Sequence, residues 1–152
     1  MAELKLKLRA DLTAAMKARA QFDTQTIRMA LAAIANQEVA GPTARQLTEE
    51  EERQVLSREV RRRRESASLY REAGRDDLAD KETAEADLLA AYLPAALTEA
   101  ELDAMVAAGL ADFPGATRRQ MGAVVKAVQA RVQGRAEGAL VAAKVKALLP
   151  PA

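Results

Sequence analysis

Residues 48–75 read TEEEERQVLSREVRRRRESASLYREAGR, and this stretch decides the fold. Thr48-Glu49-Glu50-Glu51 has the spacing of a capping box, in which a hydroxyl and a carboxylate three residues apart satisfy the first free N–H groups of a helix. The acids that follow favour the positive end of the helix dipole. Leu56, Val60, Ala67 and Tyr70 form a stripe at helical spacing, and Gly74 supplies the left-handed residue that ends a helix. A long helix over about 48–73 is therefore predicted. Asp76 opens another that ends at Tyr92-Leu93-Pro94, because proline disfavours helix in the residue before it. The two helices form an antiparallel hairpin about Gly74-Arg75.

The centre of this helix is Arg61-Arg62-Arg63-Arg64. Four consecutive helical residues sweep about 300°, so they cannot all face water if the helix packs on a neighbour. The apolar stripe passes over Arg63 or Arg64. Glu59 and Glu65 lie four residues from Arg63 and Arg61, which places opposite charges within reach along the helix. Counting outward from Gly74-Arg75 brings residues 63–65 level with about 84–87. Pairing of Arg63 or Arg64 with Glu82 or Glu85 is the expected result. The competing reading of the run is a nucleic-acid patch.

Outward from the hairpin the same signals recur. Leu4, Leu8, Leu12, Ala15 and Met16 predict a helix over about 3–19. Asp23 or Thr24 is the expected cap of a second, over about 25–39, which Gly41-Pro42 ends. A second capping box, Thr98-Glu99-Ala100-Glu101, opens a fifth helix with Leu102, Met105, Val106 and Leu110. Thr117 and Gln120 repeat the capping logic for a sixth, with Val124, Val125, Val128 and Val132. Residues 134–138 are a turn, and Leu140 to Leu149 a last helix. The predicted fold is all-α: an N-terminal helical body over 1–93 with an antiparallel helix hairpin, a linker over 94–97, and a small three-helix domain over 98–152.

Charge is unevenly spread along the chain. Residues 114–152 hold seven basic side chains and one acid, a net charge of +6, while the other 113 residues have a net charge of −5. Such sorting points to a polyanionic partner at one end. Arg118, Arg119, Lys126, Arg131, Arg135, Lys144 and Lys146 are the expected nucleic-acid contacts. Aromatic residues make up only 3% of the chain, too few for a base-stacking platform, so backbone or shape recognition is favoured. Gly134 and Gly138 bracket Arg135; a phosphate-binding turn and an ordinary interhelical turn are both open there. Gly122 inside the sixth helix predicts close packing against a neighbouring helix.

The chain has no His and no Cys, which excludes imidazole-based triads, Cys nucleophiles and zinc sites built on those residues. Ser57, Ser66 and Ser68 lie in the stretch rich in Arg and Glu, with no candidate base other than a carboxylate or lysine. Asp76, Asp77 and Asp80 could be read as a Mg²⁺ site, but acids after a glycine are the usual first turn of a helix. No phosphate loop or dinucleotide fingerprint occurs. No catalytic residue, metal or cofactor is expected. Residues 1–20 are too charged for a signal peptide and no apolar run reaches 18 residues, so a cytoplasmic location away from membranes is expected.

The segment Gln120-Met121-Gly122-Ala123-Val124-Val125-Lys126, followed by Gly134-Arg135-Ala136-Glu137-Gly138, resembles the C-terminal signature of YqeY-like proteins. Arg58-Glu59-Val60, Arg61 to Ser66, Tyr70, Ala73-Gly74-Arg75, Lys81, Glu82, Glu85 and Tyr92-Leu93-Pro94 are similar to the same family. That family shares a helical region with the B subunit of the tRNA-dependent amidotransferase, which converts Glu or Asp misacylated on tRNA to Gln or Asn. The resemblance implies a tRNA-associated C-terminal domain, without the kinase-like and amidase parts that carry the chemistry. Two departures stand out. Arg135 takes the place of a Lys usual in the amidotransferase tail, and Ala139 that of a Lys frequent in YqeY-like chains. The expected function is a non-catalytic tRNA-binding module. The alternatives are a protein-interaction adaptor and an accessory subunit in carbon–nitrogen ligation with glutamine as amide donor.

Overall fold

The computed structural model describes residues 2–152, and among them there are seven α-helices, one 3₁₀ turn and no strand. The helices are α1 (Glu3–Lys17), α2 (Gln21–Glu38), α3 (Glu49–Glu72), α4 (Asp76–Ala90), α5 (Glu99–Ala111), α6 (Met121–Val132) and α7 (Gly138–Leu148). The chain divides into two compact units, Met1–Leu93 and Pro94–Ala152.

In the first unit α3 and α4 form the hairpin, and α1 and α2 pack against it. The capping box of α3 is formed in both directions: Glu51 N–H donates to Thr48 Oγ1 at 3.2 Å, and Thr48 N–H to Glu51 Oε2 at 2.8 Å. The Arg45 guanidinium forks onto the same carboxylate at 2.7 and 2.8 Å. These donors hold the Glu51 carboxyl down to about 2. At the far end Gly74 adopts φ +76°, and Arg75 N–H donates to Tyr70 O at 2.8 Å, the closing bond of a Schellman turn. The core is built from Leu4, Leu8, Ile27, Ile34, Leu56 and Leu89, with smaller residues between them.

Two boundaries differ from expectation. Helix α2 starts at Gln21, ahead of Asp23 and Thr24, with Ala20 at its N-cap and no side-chain cap. Arg19 turns the chain at φ +56°, so α1 and α2 are joined by three residues and Asp23 falls inside the first turn. Helix α7 starts at Gly138, ahead of the expected Leu140. Glycine lowers helix propensity in mid-helix, but the first helical position needs no intrahelical N–H bond.

The second unit packs α5, α6 and α7 around Leu102, Val106, Val124, Val128, Val132, Val141, Val145 and Leu149. The Thr98–Glu101 capping box forms as expected. Thr117 and Gln120 also pair, but around a 3₁₀ turn, Arg118–Gln120, that runs into α6. Residues 94–97 are held by this unit: Leu97 N–H donates to Arg135 O at 3.0 Å, and Arg135 Nε to Ala95 O at 2.9 Å.

Candidate nucleic-acid interface

The arginine run is committed within the first unit. Arg63 is only 7% exposed; its Nη1 reaches Glu59 Oε2 at 2.6 Å and its Nε reaches Glu85 Oε2 at 3.2 Å. This is one of the cross-hairpin pairs that register counting allows, Arg63 or Arg64 with Glu82 or Glu85. Arg64 adds a second cross-hairpin pair, to Asp87 at 3.1 Å. Arg62 lies 3.7 Å from Glu59 and Arg61 4.0 Å from Glu65. All four guanidinium groups therefore have a carboxylate neighbour.

The aspartates after Gly74 serve the same hairpin. Asp80 binds Arg71 at 2.9 Å, with Asp76 at 3.8 Å from the same guanidinium, and Asp77 binds Arg75 at 3.3 Å. The Arg75 guanidinium and the Leu78 N–H draw the Asp77 carboxyl below its usual range. No group of three or more carboxylates among the described residues could hold a metal ion.

The seven cations expected to contact nucleic acid fall into two sets. Three are engaged inside the second unit. Arg131, in the last turn of α6, binds Asp112 at 3.0 Å. Lys144 on α7 reaches across to α5, to Asp103 at 2.7 Å and Glu99 at 3.5 Å, and the Asp103 bond raises its pKa. Arg135 spans the turn between α6 and α7 and clasps the Ala95 carbonyl. That bond makes the Gly134–Gly138 turn a clamp on the chain that enters this unit.

Arg118, Arg119, Lys126 and Lys146 form the other set. All four are exposed, and none makes an ion pair among the described residues. Arg118 and Arg119 occupy the 3₁₀ turn ahead of α6, where the helix dipole disfavours cations. The Arg118 N–H is fixed by Pro150 O at 3.0 Å, leaving the side chain unengaged. Lys126 lies opposite the buried Val124–Val128–Val132 face of α6.

The unit boundaries change the charge argument. Residues 94–152 carry seven basic and five acidic side chains, a net charge of +2, against −1 for residues 1–93. A division at Pro114 leaves out α5 and Asp112, whose carboxylates neutralise Lys144 and Arg131. The surviving asymmetry is local, in the four unpaired cations.

Glycine packing also differs from expectation. A Cβ on Gly122 would meet nothing within 4 Å, so this residue faces open space and not a helix. The close approach is at Gly109 on α5, where a Cβ would lie 2.4 Å from Val128 Cγ2. The sequence offered no signal to separate the two, because both interrupt a helix. Gly122 stands one turn before Lys126, on the same face.

None of the described helices is long and apolar enough to cross a membrane. Over 86 residues the chain is 37% identical to altered inheritance of mitochondria protein 41, mitochondrial, of Clavispora lusitaniae. That alignment covers 57% of this chain and 49% of the relative, so it spans about half of the relative's length. The sequence model of the Yqey-like proteins matches residues 5–149. With that match running from α1 to the end of α7, the chain belongs to the YqeY-like family.

Proposed function

We propose that this protein is a non-catalytic tRNA-binding module that contacts the phosphate backbone through its C-terminal unit. The observation that carries the reading is the set of four exposed cations, Arg118, Arg119, Lys126 and Lys146, without carboxylate partners. Side chains of this kind gain most from phosphate, because they have no ion pair to break and they release condensed counterions on binding. Arg118 and Arg119 bear a cost from the α6 dipole that an incoming anion relieves. Arg131 is a reserve contact: its pair with Asp112 is exposed, and such pairs are worth about 0–1 kcal/mol. The few aromatics favour recognition of backbone and shape over base readout.

The cytoplasm, with its tRNA pool, is the proposed compartment. A role beside the amidotransferase, as an accessory to glutamine-dependent amide transfer, is the form this function takes if a protein partner joins the complex.

Filter binding of bulk tRNA to the whole chain at two salt concentrations tests the reading. Binding that weakens steeply with salt supports it. Absence of tRNA binding overturns it.

A further inference from the structure

The first unit holds a second cluster of unpaired cations, at the corner between α1 and α2. Lys17, Arg19 and Arg28 are exposed, and none forms an ion pair among the described residues. Arg19 and Arg28 line one cleft of about 410 Å³ with Met16, Gln21, Thr24 and Gln25. The Arg28 guanidinium rests against Met16 Sδ at 3.7 Å, a contact that orients it without neutralising it. Gln21, Thr24 and Gln25 add neutral hydrogen-bonding groups on the same face of α2, at the positive end of that helix.

The backbone gives an independent reason to single out Arg19. Ala20 N–H donates to Ala15 O at 2.9 Å and Arg19 N–H to Met16 O at 3.2 Å, so α1 ends in a Schellman turn. The left-handed position of that turn, at φ +56°, is Arg19. The matching turn of α3 uses Gly74, the residue this conformation favours. A side chain in left-handed backbone crowds its Cβ against the carbonyl, so Arg19 carries a conformational penalty that glycine would not. Within the described residues its guanidinium makes no bond that offsets the penalty.

We infer that the α1–α2 corner is a second phosphate-contact site for the same nucleic acid, with Arg19 and Arg28 as the contacting side chains. The inference rests on the proposed tRNA reading and extends it to the N-terminal unit. Planar guanidinium groups beside amide and hydroxyl donors suit phosphate oxygens, and the exposed, open cleft suits a passing backbone.

The test is the slope of log affinity against log salt for bulk tRNA, measured with the full chain and with the double variant Arg19→Gly/Arg28→Gln. Each lost phosphate contact flattens the slope by about 0.7–0.9. A flattening of about 1.4–1.8, with a Tm equal to or above that of the parent, is the expected result. Glycine relaxes the left-handed turn, so loss of binding then cannot come from loss of fold. A lowered Tm in the single variant Arg19→Gly overturns the inference by making Arg19 structural. An unchanged slope, while the parent binds and Arg118→Ala/Arg119→Ala weakens binding, overturns the inference and leaves the C-terminal reading standing. If the parent chain does not bind tRNA, both fall together.

Discussion

Arg61–Arg64 in α3 and the cations of the C-terminal unit look alike as sequence but differ in what the fold places beside them. The run in α3 is denser, yet Glu59, Glu65, Glu85 and Asp87 surround it, and its third arginine is buried. The C-terminal cations are spread over about thirty residues, and four of the seven have no carboxylate within reach. A run of charge marks a binding surface only after neighbouring elements have taken their share. Here the hairpin takes all of the run, whereas α5 takes only part of the C-terminal set.

The largest expected effect breaks the buried side of this comparison. Arg63→Ala leaves the part-buried Glu59 and Glu85 carboxylates with only Arg62 at 3.7 Å and Lys81 at 4.0 Å beside them. Removing one partner of a buried pair costs about 3–5 kcal/mol. Denaturant unfolding of the variant checks this. A loss below about 1 kcal/mol, the value of an exposed pair, would place the arginine run back among the solvated charges.

The two glycines come next. Gly109→Ala drives a methyl group into Val128 and should destabilise by about 1–3 kcal/mol through overpacking. Gly122→Ala meets open space and should stabilise by about 0.5–1 kcal/mol. Thermal unfolding of the pair reads both signs. Weaker tRNA binding by the more stable Gly122→Ala variant sharpens the comparison, because it puts the backbone near Lys126 in contact with the ligand.

A smaller effect concerns Glu52, a carboxylate only 1% exposed that accepts the Lys5 N–H at 3.1 Å. Glu85 has a guanidinium beside it and Glu52 does not. Burial raises the Glu52 pKa, opposed by the Lys5 N–H and the Lys5 charge. With the folded pKa above the unfolded one, this group's contribution is fully present below the ordinary carboxylate range and is lost as pH rises through the raised value. Glu52→Gln keeps an acceptor for Lys5 and removes the ionisation. Its stability relative to the parent should therefore improve from pH 4.5 to pH 7, read from denaturant midpoints at both. Glu51 works in the opposite sense: held down to about 2, its contribution is present above the ordinary range and lost as pH falls through that value.

Much of the fold was legible because its signals are local. The boxes at Thr48 and Thr98, the stop at Gly74 and the apolar stripes each need only a few neighbouring residues. Even the long-range Arg63–Glu85 pair followed from counting along a hairpin whose turn was known. The start of α2 was not legible, because Asp23 and Thr24 are good caps and Arg19, the middle of the three residues between α1 and α2, occupies a backbone conformation its type rarely adopts. The start of α7 was hidden by Gly138, which reads as a breaker unless its position at the helix end is known. The candidate site was legible in its residue types but not in its membership. Whether Lys144 or Lys126 is free depends on which helix lies opposite, and Gly122 and Gly109 are alike until α6 packs on α5.

The unpaired C-terminal cations, and not the arginine run, are the proposed tRNA contacts. The most direct test of that assignment is the salt dependence of bulk tRNA binding by three full-length proteins: the parent, Arg118→Ala/Arg119→Ala/Lys126→Ala, and Arg61→Ala/Arg62→Ala. The slope of log affinity against log salt should flatten by about 2–3 in the triple variant and stay at the parent value in the double. A flattened slope in the Arg61/Arg62 variant, with the triple variant unchanged, would contradict the account and make α3 the contact surface.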